Sequence, residues 1–263
     1  MWYPIPLYKE FFAYKEEIVS LVGRDESVPS REFDERMQEY IRFIKRRQRV
    51  RKRIPFVEAV YLANSLTFNH LHENSDIDLF IVATEKRLRL ARFFSNTILF
   101  LLGLKRRWTR IKKKFCLSFY VTHESCSLLS VKEKPADPYL VYRLAHLVPL
   151  YFSDEALLLN IREENERIRN YLPNFPMRQT IQLGIEPIIG RSRLRRKQEW
   201  FLGAWVGLLI ERMIKVIWIP ILLRKKRRLG PVGEYVIISN TMLKFHADKR
   251  KKYQLLRKVA GKE

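Results

Sequence analysis

The sequence predicts a mixed α/β fold of the α+β class, and three features of the 263-residue chain support this. Short apolar runs rich in β-branched and aromatic residues recur in the first half, and segments with helical apolar spacing lie between them. These segments follow the order strand, loop, strand, helix, strand, which is typical of a mixed domain. Beyond residue 139 the pattern becomes mostly helical, so we expect a helical C-terminal region.

Two helices are predicted before the first strand, over residues 9–22 and 30–53. In the second, Ser30 can cap the N-terminus. An apolar stripe at helical spacing follows, and Pro55 ends the helical pattern. The stripe consists of Phe33, Met37, Tyr40, Ile41 and Ile44.

The central segment, residues 54–130, is predicted to form the core domain. Strands are expected over residues 56–62, 77–82 and 115–122, with a polar loop or short helical turn over 64–75. A helix is expected over 86–102, ended by Gly103.

Four helices are predicted in the C-terminal region, over residues 139–150, 153–171, 197–223 and 232–243. Pro135 and Pro138 bracket a polar connector before it. The resulting division is an N-terminal helical region (1–53), a core (54–130) and a helical C-terminal region (139–263).

Composition indicates a packed protein with anionic partners. With 47% hydrophobic residues the chain can form a core, which excludes wholesale disorder. Lys and Arg total 51 against 28 Asp and Glu, a formal net charge of +23. Such an excess attracts polyanions: nucleotide phosphates, RNA or DNA, and anionic membrane surfaces.

A cytoplasmic location is expected, because no signal-peptide pattern begins the chain and no zinc-type cysteine cluster appears. The apolar runs 93–104 and 200–223 are expected to be buried amphipathic helices, since the first is too short to span a bilayer and the second contains charges. The second run ends in the basic segment 224–228, so a peripheral membrane contact remains an alternative.

Asp76 and Asp78 begin an otherwise apolar strand, two residues apart. Period-two geometry places both carboxylates on one face. Because two such charges repel and are costly to desolvate, a bound divalent cation is the usual compensation. Mg2+ prefers these hard oxygen ligands and shares its coordination with substrate phosphates, and Mn2+ is a second candidate.

Asn64 and Ser65 directly follow the first predicted strand. A tight turn there can direct backbone N–H groups and the Ser65 hydroxyl toward a phosphate. Asn is the non-glycine residue best suited to the left-handed turn conformation.

These motifs resemble the polymerase-beta-type nucleotidyltransferase superfamily in its minimal bacterial branch. Its hallmark is a Gly-Ser pair after a first strand, then a loop and an Asp-x-Asp strand, matched here by Asn64-Ser65 and the segment 75–78. The resemblance implies a small mixed sheet with flanking helices, metal binding by Asp76 and Asp78, and nucleotide binding by Asn64, Ser65 and Ser75.

The implied reaction is attack of a hydroxyl on the α-phosphate of a nucleoside triphosphate, with pyrophosphate leaving. Two departures from the family stand out. Asn64 replaces the glycine, and the third predicted strand contains no acid. Glu124, just past it, is the candidate third catalytic carboxylate, and Asp137, farther along the chain, is an alternative. Two alternatives therefore stay open: a non-catalytic nucleic-acid- or nucleotide-binding protein on a degenerate scaffold, and a peripheral membrane-surface protein.

Overall fold

The described residues form a mixed α/β structure, which confirms the predicted fold class in its general form. The computed structural model describes residues 31–63, 66–67, 71, 73–107, 109–123, 147–157, 183–203, 205–228 and 237–244. The helix predicted over residues 9–22 lies outside these ranges.

The described chain contains four α-helices, one 3-10 helix and seven strands. The helices are α1 (Arg31–Arg47), α2 (Leu88–Leu101), α3 (Arg193–Gly203) and α4 (Trp205–Arg228), and a 3-10 helix over Gln48–Arg53 follows α1. The strands are β1 (Val57–Ala63), β2 (Ile77–Ala83), β3 (Phe115–Thr122), β4 (Val148–Phe152), β5 (Ile188–Ile189), β6 (Ile237–Ile238) and β7 (Met242–Lys244). The first three strands and α2 fall within two residues of their predicted bounds.

The strands form one seven-stranded sheet in the order β5-β4-β1-β2-β3-β7-β6. β1 is antiparallel to both β2 and β4, whereas β2 and β3 are parallel. A parallel pair needs a crossover connection, and α2 supplies it. The sheet is therefore mixed, with β1, β2 and β3 at its centre.

The two faces of the sheet have different cores. Alternate residues of β1 and β2, such as Val60 and Ile81, pack with α1 and α2 in the larger cluster, to which Tyr40 and Ile44 contribute. The opposite face contains a smaller cluster rich in aromatic residues. There the rings of Phe80 and Phe119 meet edge to face with centroids 4.8 Å apart.

Two helices predicted in the C-terminal region prove to be strands where they are described. Residues 148–150, predicted as the end of a helix, begin β4, which pairs with β1. Pro149 lies beside the shift in register between Val60 and Tyr61, the kind of irregularity at which a strand tolerates proline. Residues 237–238 and 242–243, also predicted as helical, belong to the β6–β7 hairpin. The periodicity of a short apolar run does not show whether the run is a helix or a strand. In these segments, hydrogen bonding with neighbouring strands of the sheet determines the strand conformation.

The helix predicted over residues 197–223 is two helices, α3 and α4. A Cβ on Gly207 would lie 1.6 Å from the carbonyl oxygen of Leu202, so this close approach of the two helices requires glycine. Of the helix predicted over 153–171, only residues 155–157 are described as helical. Asp154 accepts the Leu157 N–H at 3.0 Å there, as an N-terminal cap does.

The expectation that the run 200–223 is buried is wrong. Trp200 is 83% exposed and Trp205 is 85% exposed, and large apolar side chains continue along the outer side of α4. Within the described part of the chain, no helix is long and apolar enough to cross a membrane.

Candidate metal and nucleotide site

Asp76 and Asp78 lie where β2 begins, at one end of the central strands. Asp78 is the second residue of β2. It pairs with Ala63, the last residue of β1, and with Cys116, the second residue of β3. The topology therefore brings the end of β1 and the starts of β2 and β3 to one place.

The backbone on either side of Asp76 is fixed by neighbouring elements. The Ser75 carbonyl accepts hydrogen bonds from the Tyr40 hydroxyl of α1 at 2.7 Å and from the Lys113 N–H at 3.2 Å. The Ile77 N–H donates to the Lys114 carbonyl at 2.9 Å. Asp76 is thus held between α1 and the loop that precedes β3.

Two carboxylates and a thiol converge in this position. One ligand atom each from Asp76, Asp78 and Cys116 lies within 4.8 Å of the others. Asp78 is buried, and the Asp76 side chain is 17% exposed. We refer to these three residues as the Asp-Asp-Cys cluster.

Arg106 supplies positive charge to the cluster. Its Nη1 lies 2.6 Å from Oδ2 of Asp76 and donates toward Sγ of Cys116 at 3.8 Å. The Arg106 side chain is 43% exposed, so this ion pair is open to solvent and to exchange with other charges.

The electrostatics of the cluster favour additional positive charge. Burial raises the pKa of Asp76, the neighbouring Asp78 carboxylate raises it further, and Arg106 only partly opposes both effects. The paired charges are therefore not fully compensated by the arginine. A cation bound between the carboxylates would stabilise their ionised forms.

Of the other predicted site residues, the structure describes only Ser75. Asn64, Ser65, Glu124 and Asp137 lie outside the described residues. β3 ends at Thr122, which pairs with Ala83 at the end of β2 remote from Asp78. Ser75 adjoins the cluster through its backbone, and its role in nucleotide binding stays a prediction.

Cys116 and Arg106 were not recognised as site residues from sequence. Cys116 could have been found, because it is the second residue of its strand, as Asp78 is of β2, and parallel pairing in this register places the two side by side. Arg106 belongs to a run of basic residues, and nothing in the sequence distinguishes it from its neighbours.

No protein-family model, no curated protein and no solved structure matches this chain. Functional inference therefore depends on the geometry of the Asp-Asp-Cys cluster and on the motifs around it.

Proposed function

We propose that the chain is a Mg2+-dependent nucleotidyltransferase that moves a nucleoside monophosphate from a nucleoside triphosphate to a hydroxyl acceptor. The observation that supports this best is the pairing of Ala63 with Asp78. The chain leaves β1 beside the two aspartates, and the next residues in the sequence are Asn64 and Ser65. A phosphate-binding turn at these residues would adjoin the metal-binding carboxylates.

The residues present fit a divalent cation. Asp76 and Asp78 offer the hard oxygen ligands that Mg2+ prefers, and their ligand atoms already lie close together. Mn2+ fits as well, and the softer Cys116 favours it relative to Mg2+. When bound, the cation would offset negative charge on the phosphates.

Arg106 fits the role of a phosphate-binding residue in this proposal. Its guanidinium has donors beyond the one that binds Asp76, and nearly half of its side chain is exposed. With a cation between the carboxylates, Arg106 would direct these donors to the triphosphate.

The reaction follows from these roles. The acceptor hydroxyl oxygen forms a bond to the α-phosphorus and loses its proton to solvent, and the bond from that phosphorus to the oxygen bridging to the β-phosphate breaks, so pyrophosphate leaves. Asp76 and Asp78 would hold the metal, and Arg106 with Ser65 would orient the phosphates.

A second candidate is nucleotide or nucleic-acid binding without turnover. The observation that favours it is Cys116, which lies opposite Asp78 on β3. In the family that the sequence resembles, a later strand supplies a third carboxylate. A thiol is a weaker ligand for Mg2+ than a carboxylate, so binding could persist where catalysis has been lost.

The test is transfer of label from each α-32P-labelled nucleoside triphosphate in the presence of Mg2+, with and without total cellular RNA. The wild type is compared with the Asp76→Asn, Asp78→Asn double variant. Glu73→Gln is the matched control, because Glu73 is an exposed acid near the cluster but outside it.

Label on RNA, on the protein or on a small molecule, lost in the double variant and retained in Glu73→Gln, would support the transferase and identify its acceptor class. Binding of triphosphate without transfer would favour the second candidate. Activity that survives in the double variant would exclude the metal site at these aspartates.

A further inference from the structure

An apolar surface that none of the described residues covers extends along α3 and α4. Its members are each at least 40% exposed in the structure, and we call them the α4 apolar face. They are Trp200 and Phe201 of α3, and Trp205, Val206, Leu208, Leu209, Met213, Val216, Ile217, Ile221 and Leu223 of α4. Soluble proteins rarely expose so many large apolar side chains together, and such patches are typical of interaction sites.

The orientation of α4 is fixed by Glu211, which points inward. Its carboxylate is buried and accepts the N–H groups of Arg89 and Leu90 at 2.9 and 2.8 Å. Successive helical residues are rotated by about 100°. Leu209 and Met213 therefore lie on the side opposite Glu211 and face away from the protein.

Positive charge borders this face. Arg212 and Lys215 are exposed on one flank of α4, and the exposed residues Arg224 and Arg227 lie at its C-terminal end. Glu211, the acid of α4, is buried against α2. The outer surface of the helix thus combines apolar side chains with a single sign of charge.

We propose that α4, together with the end of α3, docks on an anionic lipid surface and lies in the plane of the membrane interface. A helix with this combination inserts its apolar side among the acyl chains while its basic residues contact acidic headgroups. Exposed Trp200 and Trp205 suit the interface, where the amphipathic indole ring is favoured. This inference does not depend on the proposed nucleotidyltransferase function.

Two other occupants fit less well. A nucleic acid would use the basic residues and stack on the aromatic rings, but it offers nothing to the aliphatic side chains that dominate the face. A second copy would bring like charges together, because a two-fold interface places the same patch on both subunits. Acidic lipid complements both the apolar and the basic residues.

The test is co-flotation of the full chain with vesicles of phosphatidylcholine, with and without phosphatidylglycerol. The apolar variant is Leu209→Gln, Met213→Gln, and the charge variant is Arg212→Glu, Lys215→Glu. Arg46→Glu, Arg49→Glu is the matched charge control, because both arginines are exposed elsewhere on the molecule. Thermal melting verifies that each variant is folded.

We expect the wild type to float with the anionic vesicles, and to do so less in high salt. The apolar variant should lose at least about tenfold in partitioning. The charge variant should lose about thirtyfold, since roughly 1 kcal/mol for each of its two basic residues amounts to about 2 kcal/mol, and the control should bind as the wild type does. Brominated lipid should quench tryptophan fluorescence, and Trp200→Phe, Trp205→Phe should still float while losing most of this quenching.

Three results would overturn the proposal. One is no flotation of the wild type with anionic vesicles. Another is an equal loss in the charge control, which would indicate attraction by net charge alone. The third is a dimer that the apolar variant dissociates while vesicle binding is unchanged, which would assign the face to a second copy.

Discussion

Cys116 is the member of the Asp-Asp-Cys cluster that contributes sulfur instead of carboxylate oxygen. It lies beside Asp78 on the parallel strand, and its sulfur contacts Arg106. A thiol adds a soft ligand to two hard carboxylates, whereas a carboxylate there would add both charge and hardness. On the proposed function, the residue at 116 would therefore affect how well the site holds Mg2+.

Replacing Cys116 by Asp is expected to tighten Mg2+ binding by about tenfold, since a third carboxylate adds ligand charge. Cys116→Ser is the matched variant, because it keeps the size and removes the sulfur without adding charge. Mg2+ affinity is measured by calorimetric titration. Equal affinities for the Asp and Ser variants would show that residue 116 is not a ligand.

Arg51 is a buried cation, and its desolvation is expected to cost stability. It is 4% exposed, and its side-chain nitrogens have no hydrogen-bond partner among the described residues. Its guanidinium lies 5.0 Å from the centroid of the Phe115 ring. Burial lowers the pKa of Arg51 to about 9, so the side chain is still charged at neutral pH.

Arg51→Met should raise the free energy of unfolding by about 1–4 kcal/mol, because an apolar side chain of similar length replaces a desolvated charge. Urea denaturation measures this change. The exposed Arg49→Met is the control and should change stability by about 0.5 kcal/mol or less. A loss of stability in Arg51→Met would mean that the cation–π contact outweighs desolvation.

At the scale of single residues, the sequence predicted that the side chains of Asp76 and Asp78 lie on one face of a strand. It did not predict that Cys116 and Arg106 lie beside them. Asp76 and Asp78 were recognisable because charge is unexpected at the start of a buried strand. Arg106 is brought to Asp76 by the loop between α2 and β3, and that contact depends on tertiary structure. The role predicted for Glu124 stays a prediction.

At the scale of elements, a residue of α4 caps the N-terminus of α2. The first N–H groups of a helix have no partner within it. Glu211 of α4 accepts two of them, from Arg89 and Leu90, and also pairs with the Arg89 guanidinium at 3.3 Å. The helix that crosses between β2 and β3 is thus anchored by the helix that forms the apolar face.

Glu211→Ala should destabilise the fold by about 3–5 kcal/mol, because it removes the carboxylate that pairs with the buried Arg89 and leaves two helix N–H groups without an acceptor. The Arg89 guanidinium would keep only the Asn240 amide oxygen, at 3.0 Å. Glu211→Gln retains an acceptor and should cost less. Urea denaturation of both variants, with the exposed Arg212→Ala as control, measures the difference. Values for Glu211→Ala near that of the control would contradict the capping role.

The sequence predicted the central elements better than the C-terminal ones. β1, β2 and β3 are apolar segments with polar residues or proline at their ends. Their predicted bounds therefore lie within one residue of the observed ones. β6 and β7 are two and three residues long and form only as a hairpin paired with β3. Segments this short have too little local pattern to be recognised before the sheet that they join is known.

For the whole molecule, the net charge of +23 is the dominant long-range property. It creates a positive field that acts on any polyanion, whichever function the Asp-Asp-Cys cluster has. Charge alone predicts association without sequence preference, since backbone phosphates carry no sequence information.

We therefore expect the chain to bind single-stranded RNA of different sequences with similar affinity. The affinity should fall by about a thousandfold between roughly 50 and 200 mM salt, as counterions compete for the phosphates. Fluorescence anisotropy with labelled homopolymers measures this dependence. Absence of binding at low salt would exclude the nucleic-acid-binding alternative.

The proposed function depends most on Asp76 and Asp78 holding a divalent cation. The direct measurement is titration of the protein with Mn2+, followed by the electron paramagnetic resonance signal of the unbound ion. We predict saturable binding that Mg2+ displaces, that Glu73→Gln retains, and that the Asp76→Asn, Asp78→Asn variant loses. Equal Mn2+ binding by that double variant would contradict the proposed metal site, because the cation would then be held elsewhere.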